Sequence, residues 1–195
     1  MNNQKIIQKS FATIIEMLTD RGVDMNGINE SFISDIVLKN ATKTSFEVKM
    51  DNIYVIYYIP SKFRMGELKK LLDDNEDRKL NKDVQFIIVL NDKMSLINLR
   101  TLNSMPNLQY QIFRIKELQF NITKHILVPK HEVVRDEEVI KSILDSYSLK
   151  TKYQLPTILK TDPMSRYLGL KSGDIVKITR NSPSSGEYIV YRCCM

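Results

Sequence analysis

The stretch Leu155–Ile178, LPTILKTDPMSRYLGLKSGDIVKI, carries the information that decides the fold. Asp162 followed by Pro163 is a helix start, because an aspartate side chain accepts from the first free N–H groups and proline is pre-shaped for the first helical position. The helix runs to Leu168, and Gly169 closes it, since glycine takes the left-handed turn without a steric penalty. Ser172-Gly173 turns the chain into a strand over Asp174–Thr179, and a loop at Asn181–Gly186 leads to a last strand at Tyr188–Cys193. Helix, turn and paired strands in such short succession describe a small α/β module.

Just upstream, Val139, Ile140, Ile143, Leu144 and Tyr147 recur at helical spacing. Asp136-Glu137-Glu138 introduces them, with three carboxylates at the positive end of the helix. Further back the pattern changes, and the module boundary falls between residues 118 and 124.

The preceding residues read as a separate mixed α/β domain. Ile7, Phe11, Ile14, Ile15 and Leu18 form a helical stripe that Asp20-Arg21-Gly22 stops, and Phe32, Ile33, Ile36 and Val37 form a second behind Asn29 as N-cap. Phe46, Val48 and Met50 then alternate with polar residues, Asp51-Asn52 makes a turn, and Ile53–Ile59 is β-branched and aromatic. Met65 to Leu72 is helical, Val84–Leu90 a buried strand, Met94–Leu102 helical and Leu108–Ile115 alternating. The expected architecture is α/β (α+β): residues 1–120 form a mixed sheet with flanking helices, and residues 121–195 the smaller α/β module.

At 195 residues, 43% hydrophobic and 27% charged, the chain has enough apolar material for one ordinary domain or two small ones. No apolar run reaches membrane-spanning length, and Met1–Ser10 lacks a following apolar segment, so a soluble intracellular protein is expected. The formal charge of +6 favours polyanions or acidic protein surfaces at long range, and residues 123–195 hold 12 basic against 8 acidic side chains. Cys193 and Cys194, adjacent in sequence, offer neither an unstrained disulfide nor a spaced metal set.

Two patterns touch on chemistry. His125 and His131 flank Leu127-Val128-Pro129-Lys130, but a pair of imidazoles falls short of the three or four ligands that zinc takes, and local hydrogen bonding is the simpler use. Glu47-Val48-Lys49 on a strand with Asp35 upstream matches the carboxylate, carboxylate and lysine arrangement of metal-dependent nucleases. Any amphipathic strand with a wet face also shows Glu-x-Lys, so a nuclease remains the alternative rather than the leading reading. Lys160, Arg166, Lys171, Lys177 and Arg180 can form a phosphate-binding patch, yet aromatics do not interleave with them as a base-stacking surface requires.

Several ordered blocks carry a resemblance. NITKHILVPKH at Asn121–His131, LPTILKTDP at Leu155–Pro163 and RYLGLKSGDIVKI at Arg166–Ile178 come first, followed by Ser185-Gly186-Glu187-Tyr188 and Tyr191-Arg192. Together they resemble the fifth-subunit family of eukaryotic-type multisubunit DNA-directed RNA polymerases, whose archaeal members consist of little more than this module. The resemblance implies a C-terminal assembly domain that docks on the largest polymerase subunit, and an N-terminal jaw domain of nuclease-like topology without nuclease activity. It implies contacts with other polymerase subunits and downstream duplex DNA, no active site of its own, no cofactor, no metal, no small-molecule ligand and no membrane. His131, Arg166, Tyr167 and Arg192 are the expected interface residues. The N-terminal part looks shorter and more divergent than in nuclear subunits, which suits a polymerase of a large nucleocytoplasmic DNA virus, acting in virion and cytoplasmic factory. An unusual eukaryote, with the subunit in its nucleus, is the other source, and a stand-alone adaptor outside a polymerase is a further alternative.

Overall fold

A computed structural model describes residues 3–25, 30–40, 42–50, 52–73, 84–106, 108–182 and 186–195. The chain divides into two compact units, the first made of Met1–Glu16 and Asp24–Phe120, the second of Met17–Val23 and Asn121–Met195. The end of the first helix thus belongs with the C-terminal residues.

In the first unit, helices α1 (Asn3–Asp20) and α2 (Glu30–Asn40) precede strands β1 (Ser45–Met50) and β2 (Ile53–Tyr58). Helix α3 (Met65–Asp73), strand β3 (Gln85–Leu90), helix α4 (Leu96–Asn103) and strand β4 (Gln109–Arg114) follow. The sheet order is β1-β2-β3-β4, with β1 antiparallel to β2 and the other pairs parallel. Every residue of β2 is buried, as a central strand covered on both faces requires. Tyr54, Ile56 and Tyr58 pack with Phe86, Ile88 and Leu90, and with Leu68, Leu72 and Leu102 from α3 and α4. On the opposite face Phe46 stacks on Tyr57 at 4.7 Å, and α1 reaches the same ring through Phe11 and a Ser10 hydroxyl contact of 2.9 Å. Of the α1 stripe, Ile7, Phe11, Ile14 and Leu18 are buried, as is Met17, which lies outside the expected set. In α2 only Val37 of the expected four is buried. The expected N-cap Asn29 and turn residue Asp51 lie outside the described residues.

The second unit has strand β5 (Lys130–Val134), helix α5 (Glu137–Ser146), strand β6 (Thr157–Ile158), helix α6 (Pro163–Leu168) and strands β7 (Ile175–Ser182) and β8 (Gly186–Cys194). Their sheet order is β5-β7-β8-β6. Asp136 caps α5 by accepting from Glu138 and Val139, and Asp162 caps α6 by accepting from Met164. Gly169 closes α6 at φ +68°, the left-handed geometry its position predicts. One sheet face buries Val176, Ile178 and Cys194 under Leu168 and Leu170, while the other buries Ile175 and Cys193 under Ile140 and Leu144 of α5. The adjacent cysteines are therefore free, buried and directed to opposite faces.

Two local expectations change. The loop expected over Asn181–Gly186 is shorter, because Asn181 pairs with Glu187 and Ser182 with Gly186, so the hairpin ladder runs on past Thr179. Strand β5 lies outside the expected elements: its lysine, histidine and glutamate hide the alternation, and pairing with β7 makes it a strand.

Candidate interaction surface

Residues 121–130 form a tight, hydrogen-bonded turn. Asn121 Oδ1 accepts from the Thr123 N–H and hydroxyl at 2.9 and 2.7 Å, starting a short 3-10 turn over Ile122–Lys124. His125 N–H then donates to the Ile122 carbonyl at 3.2 Å, and Val128 N–H to that of His125 at 2.9 Å. His125 Nδ1 accepts from Leu127 N–H at 3.2 Å, so that imidazole is spent on the turn. What this geometry presents is apolar: Ile126 is 95% exposed and Leu127 82%. Two large aliphatic side chains held in water by a built turn are the kind of feature that marks a protein contact.

His131 and Arg192 share one face of the C-terminal sheet. His131 stands opposite Ile178, Arg192 opposite Val176, and alternation puts all four side chains on the side covered by Leu168 and Leu170. His131 Nδ1 lies 2.7 Å from the Pro129 carbonyl, and since a carbonyl only accepts, Nδ1 carries the proton. Arg192 is held by a 3.0 Å bond to the Thr157 carbonyl. Arg166 stands on α6, half-buried.

Tyr167 has a different environment. It is 4% exposed; its hydroxyl donates to Asp20 Oδ2 at 2.6 Å and accepts from Asn121 Nδ2 at 2.9 Å. Burial first, and then the Asp20 carboxylate, raise the phenol well above its ordinary pKa. Beside it Arg21 donates to the Tyr167 and Arg166 carbonyls, both at 2.8 Å, satisfying the end of α6 with one guanidinium. Burial holds Arg21 down to about 10. Asp20 and Arg21 read in the sequence only as a helix stop, and no local pattern announces partners some 145 residues away.

The residues of the nuclease alternative occupy wet positions. Asp35 is exposed on α2, and Glu47 and Lys49 are the exposed, alternating positions of β1, with the Lys49 ammonium 5.4 Å from the Tyr54 ring centroid. Among the described residues no group of three or more His, Cys, Asp or Glu side chains is arranged to hold a metal ion, and no helix is long and apolar enough to cross a membrane.

Comparison with known proteins adds an independent line. Residues 120–194 match the family model described as RNA polymerase Rpb5, C-terminal domain. The chain is similar to the DNA-directed RNA polymerases I, II, and III subunit rpabc1 of Dictyostelium discoideum, at 33% identity covering 94% of each chain. It is 32% identical to DNA-directed RNA polymerase subunit 5-like protein 1 of Arabidopsis thaliana, covering 92% of this chain and 91% of the relative. A third relative, the DNA-directed RNA polymerases IV and V subunit 5B of Arabidopsis thaliana, is 29% identical over 93% of this chain and 86% of its own length.

Proposed function

The chain belongs to the fifth-subunit family of DNA-directed RNA polymerases, and from that membership we propose that it is a non-catalytic subunit of such an enzyme, anchored by its C-terminal unit. The observation that carries the reading is the match to the rpabc1 relative, which runs through both units. In this reading residues 121–195 are the assembly domain and dock on the largest polymerase subunit. His131, Arg166 and Arg192 supply polar contacts, and Ile126 and Leu127 insert as an apolar knob whose ordering cost is already met by the turn. Tyr167 serves the same interface from below, holding α6 against Asp20 and Asn121.

Residues 1–120 act as the jaw domain beside downstream duplex DNA, by lysine and arginine contacts to phosphates that weaken with salt and ignore base sequence. A cellular subunit of this kind works in the nucleus, and a virus-encoded one in virion and cytoplasmic factory. The test is recovery of the tagged chain from its native source at moderate salt. We expect both large polymerase subunits in near-equal amount, and their loss when Arg166 and Arg192 are both changed to Glu. Recovery of other partners without the large subunits overturns the reading in favour of an adaptor, and full recovery by the double variant overturns this interface.

A further inference from the structure

Strand β8 has one paired side and one open side. On the paired side the register with β7 is unbroken from Ile175↔Cys193 to Ser182↔Gly186, without a bulge. On the other side β6 covers only Cys193 and Cys194, through Thr157 and Ile158. Among the described residues no strand lies beside Gly186–Arg192 on that side. The backbone directions follow from two bonds. Cys194 N–H donates to the Asp174 carbonyl on the β7 side at 2.8 Å, whereas Cys193 N–H donates to Pro156 on the β6 side at 2.9 Å. Alternation therefore turns the N–H and C=O groups of Glu187, Ile189 and Tyr191 outward, in the column that β6 begins and then leaves.

This edge carries charge only near its ends, at Glu187 and Arg192. Residues 186–192, GEYIVYR, contain no proline and no lysine, and their side chains are apolar enough to pair: Tyr188 is 56% exposed and Ile189 39%. Natural edges of this length are normally blunted by charge, proline or a bulge, because a flat open ladder recruits another chain.

We propose that the outer edge of β8 is a strand-addition site, filled by an extended segment of the largest polymerase subunit that continues the column of β6. The mode of contact rests on the subunit reading above and specifies how that contact is made. Only an extended backbone offers donors and acceptors at the spacing of Glu187, Ile189 and Tyr191. The two faces dictate its side chains. Tyr188, Val190 and Arg192 line one face of β8, where Arg192 selects a carboxylate on the incoming strand. Ile189 and Tyr191, with Glu187 at the far end, line the other face, so the segment is largely apolar with a carboxylate placed to meet Arg192.

The experiment uses the full tagged chain and its polymerase. Ile189→Pro removes one outward N–H and puts a ring where the added strand must lie, yet it spares the β7 ladder, as edge prolines do. Ile189→Thr keeps the backbone donor and serves as control. We expect Ile189→Pro to retain its circular dichroism and to lose about tenfold or more in recovered large subunits, with Ile189→Thr close to wild type. Hydrogen exchange on the wild-type chain gives a reading free of folding effects: the amides of Glu187, Ile189 and Tyr191 exchange at least about tenfold more slowly in the complex than in the free chain. Full recovery with Ile189→Pro, or unchanged exchange at these amides in a complex that forms, overturns strand addition. Dimerisation of the free chain that Ile189→Pro abolishes assigns the edge to a second copy and equally overturns a heterologous segment. Failure of the wild-type chain to recover any large subunit is a different result, which removes the subunit reading and this proposal with it.

Discussion

Tyr57 is fully buried, with its hydroxyl 2.9 Å from Ser10 Oγ, and burial raises its pKa well above the usual phenol range. An unfolded tyrosine releases its proton near pH 10, about where a free phenol does, while the folded one keeps it. A raised folded pKa means that this contribution to stability is complete below about pH 10 and is lost as pH climbs toward the folded value. Tyr167 adds in the same direction. Thermal melts across the alkaline range are thus expected to be flat in this respect to about pH 10 and to fall beyond it. Tyr57→Phe, which leaves Ser10 its 2.8 Å bond to the Ile7 carbonyl, costs about 1 kcal/mol at neutral pH and makes the alkaline decline shallower. An equally steep decline in the variant assigns the effect elsewhere. None of this was legible beforehand, because a tyrosine in a β-branched run reads the same whether its hydroxyl meets serine or water.

Helix ends give the next prediction. Gly169 ends α6 at φ +68°, and a Cβ built there meets Arg21 Cζ at 3.2 Å and Nε at 3.3 Å. Gly169→Ala therefore brings left-handed strain of about 1–2 kcal/mol and crowds the guanidinium that satisfies the helix carbonyls. Ser148, just past the C-cap of α5, takes φ +54° without being glycine. Ser148→Gly is expected to stabilise the chain by about 0.5–1 kcal/mol, the opposite sign at a similar backbone angle. Urea titrations of the two variants check the pair, and stabilisation by Gly169→Ala contradicts the account. Here the sequence was informative: Asp162 and Gly169 announce ends that the structure realises, because a cap is made within one turn of chain, while Asp136, expected only as one of three carboxylates at the helix start, is the N-cap itself. Where short-range signals were thin, as in β5 and in the hairpin past Thr179, the sheet supplied the order.

The division of the molecule depends on contacts that cross the chain. Met17–Val23 groups with Asn121–Met195, and within that unit Arg21 donates to two α6 carbonyls while Asp20 takes the Tyr167 hydroxyl. A fragment cut as residues 121–195 keeps every element of its sheet but loses these partners, leaving buried groups without the bonds they had. It is expected to melt on the order of 10 °C below the same unit in the intact chain, with amide protection in β7 and β8 as the reporter. Equal protection in fragment and chain removes Asp20 and Arg21 from the account of stability.

Periodicity and turn chemistry in the sequence were enough for the α/β class, for most helices and strands, and, through the ordered blocks from Asn121 to Arg192, for the family. Each of those signals is local, so a linear reading reaches it. The Arg21 and Asp20 contacts to α6, the burial of Tyr167, and the side of β8 left open depend on which distant segments meet. Pairing across some 145 residues is settled by the competition of whole surfaces for burial and hydrogen bonds, and it leaves no repeat or spacing in the chain to read.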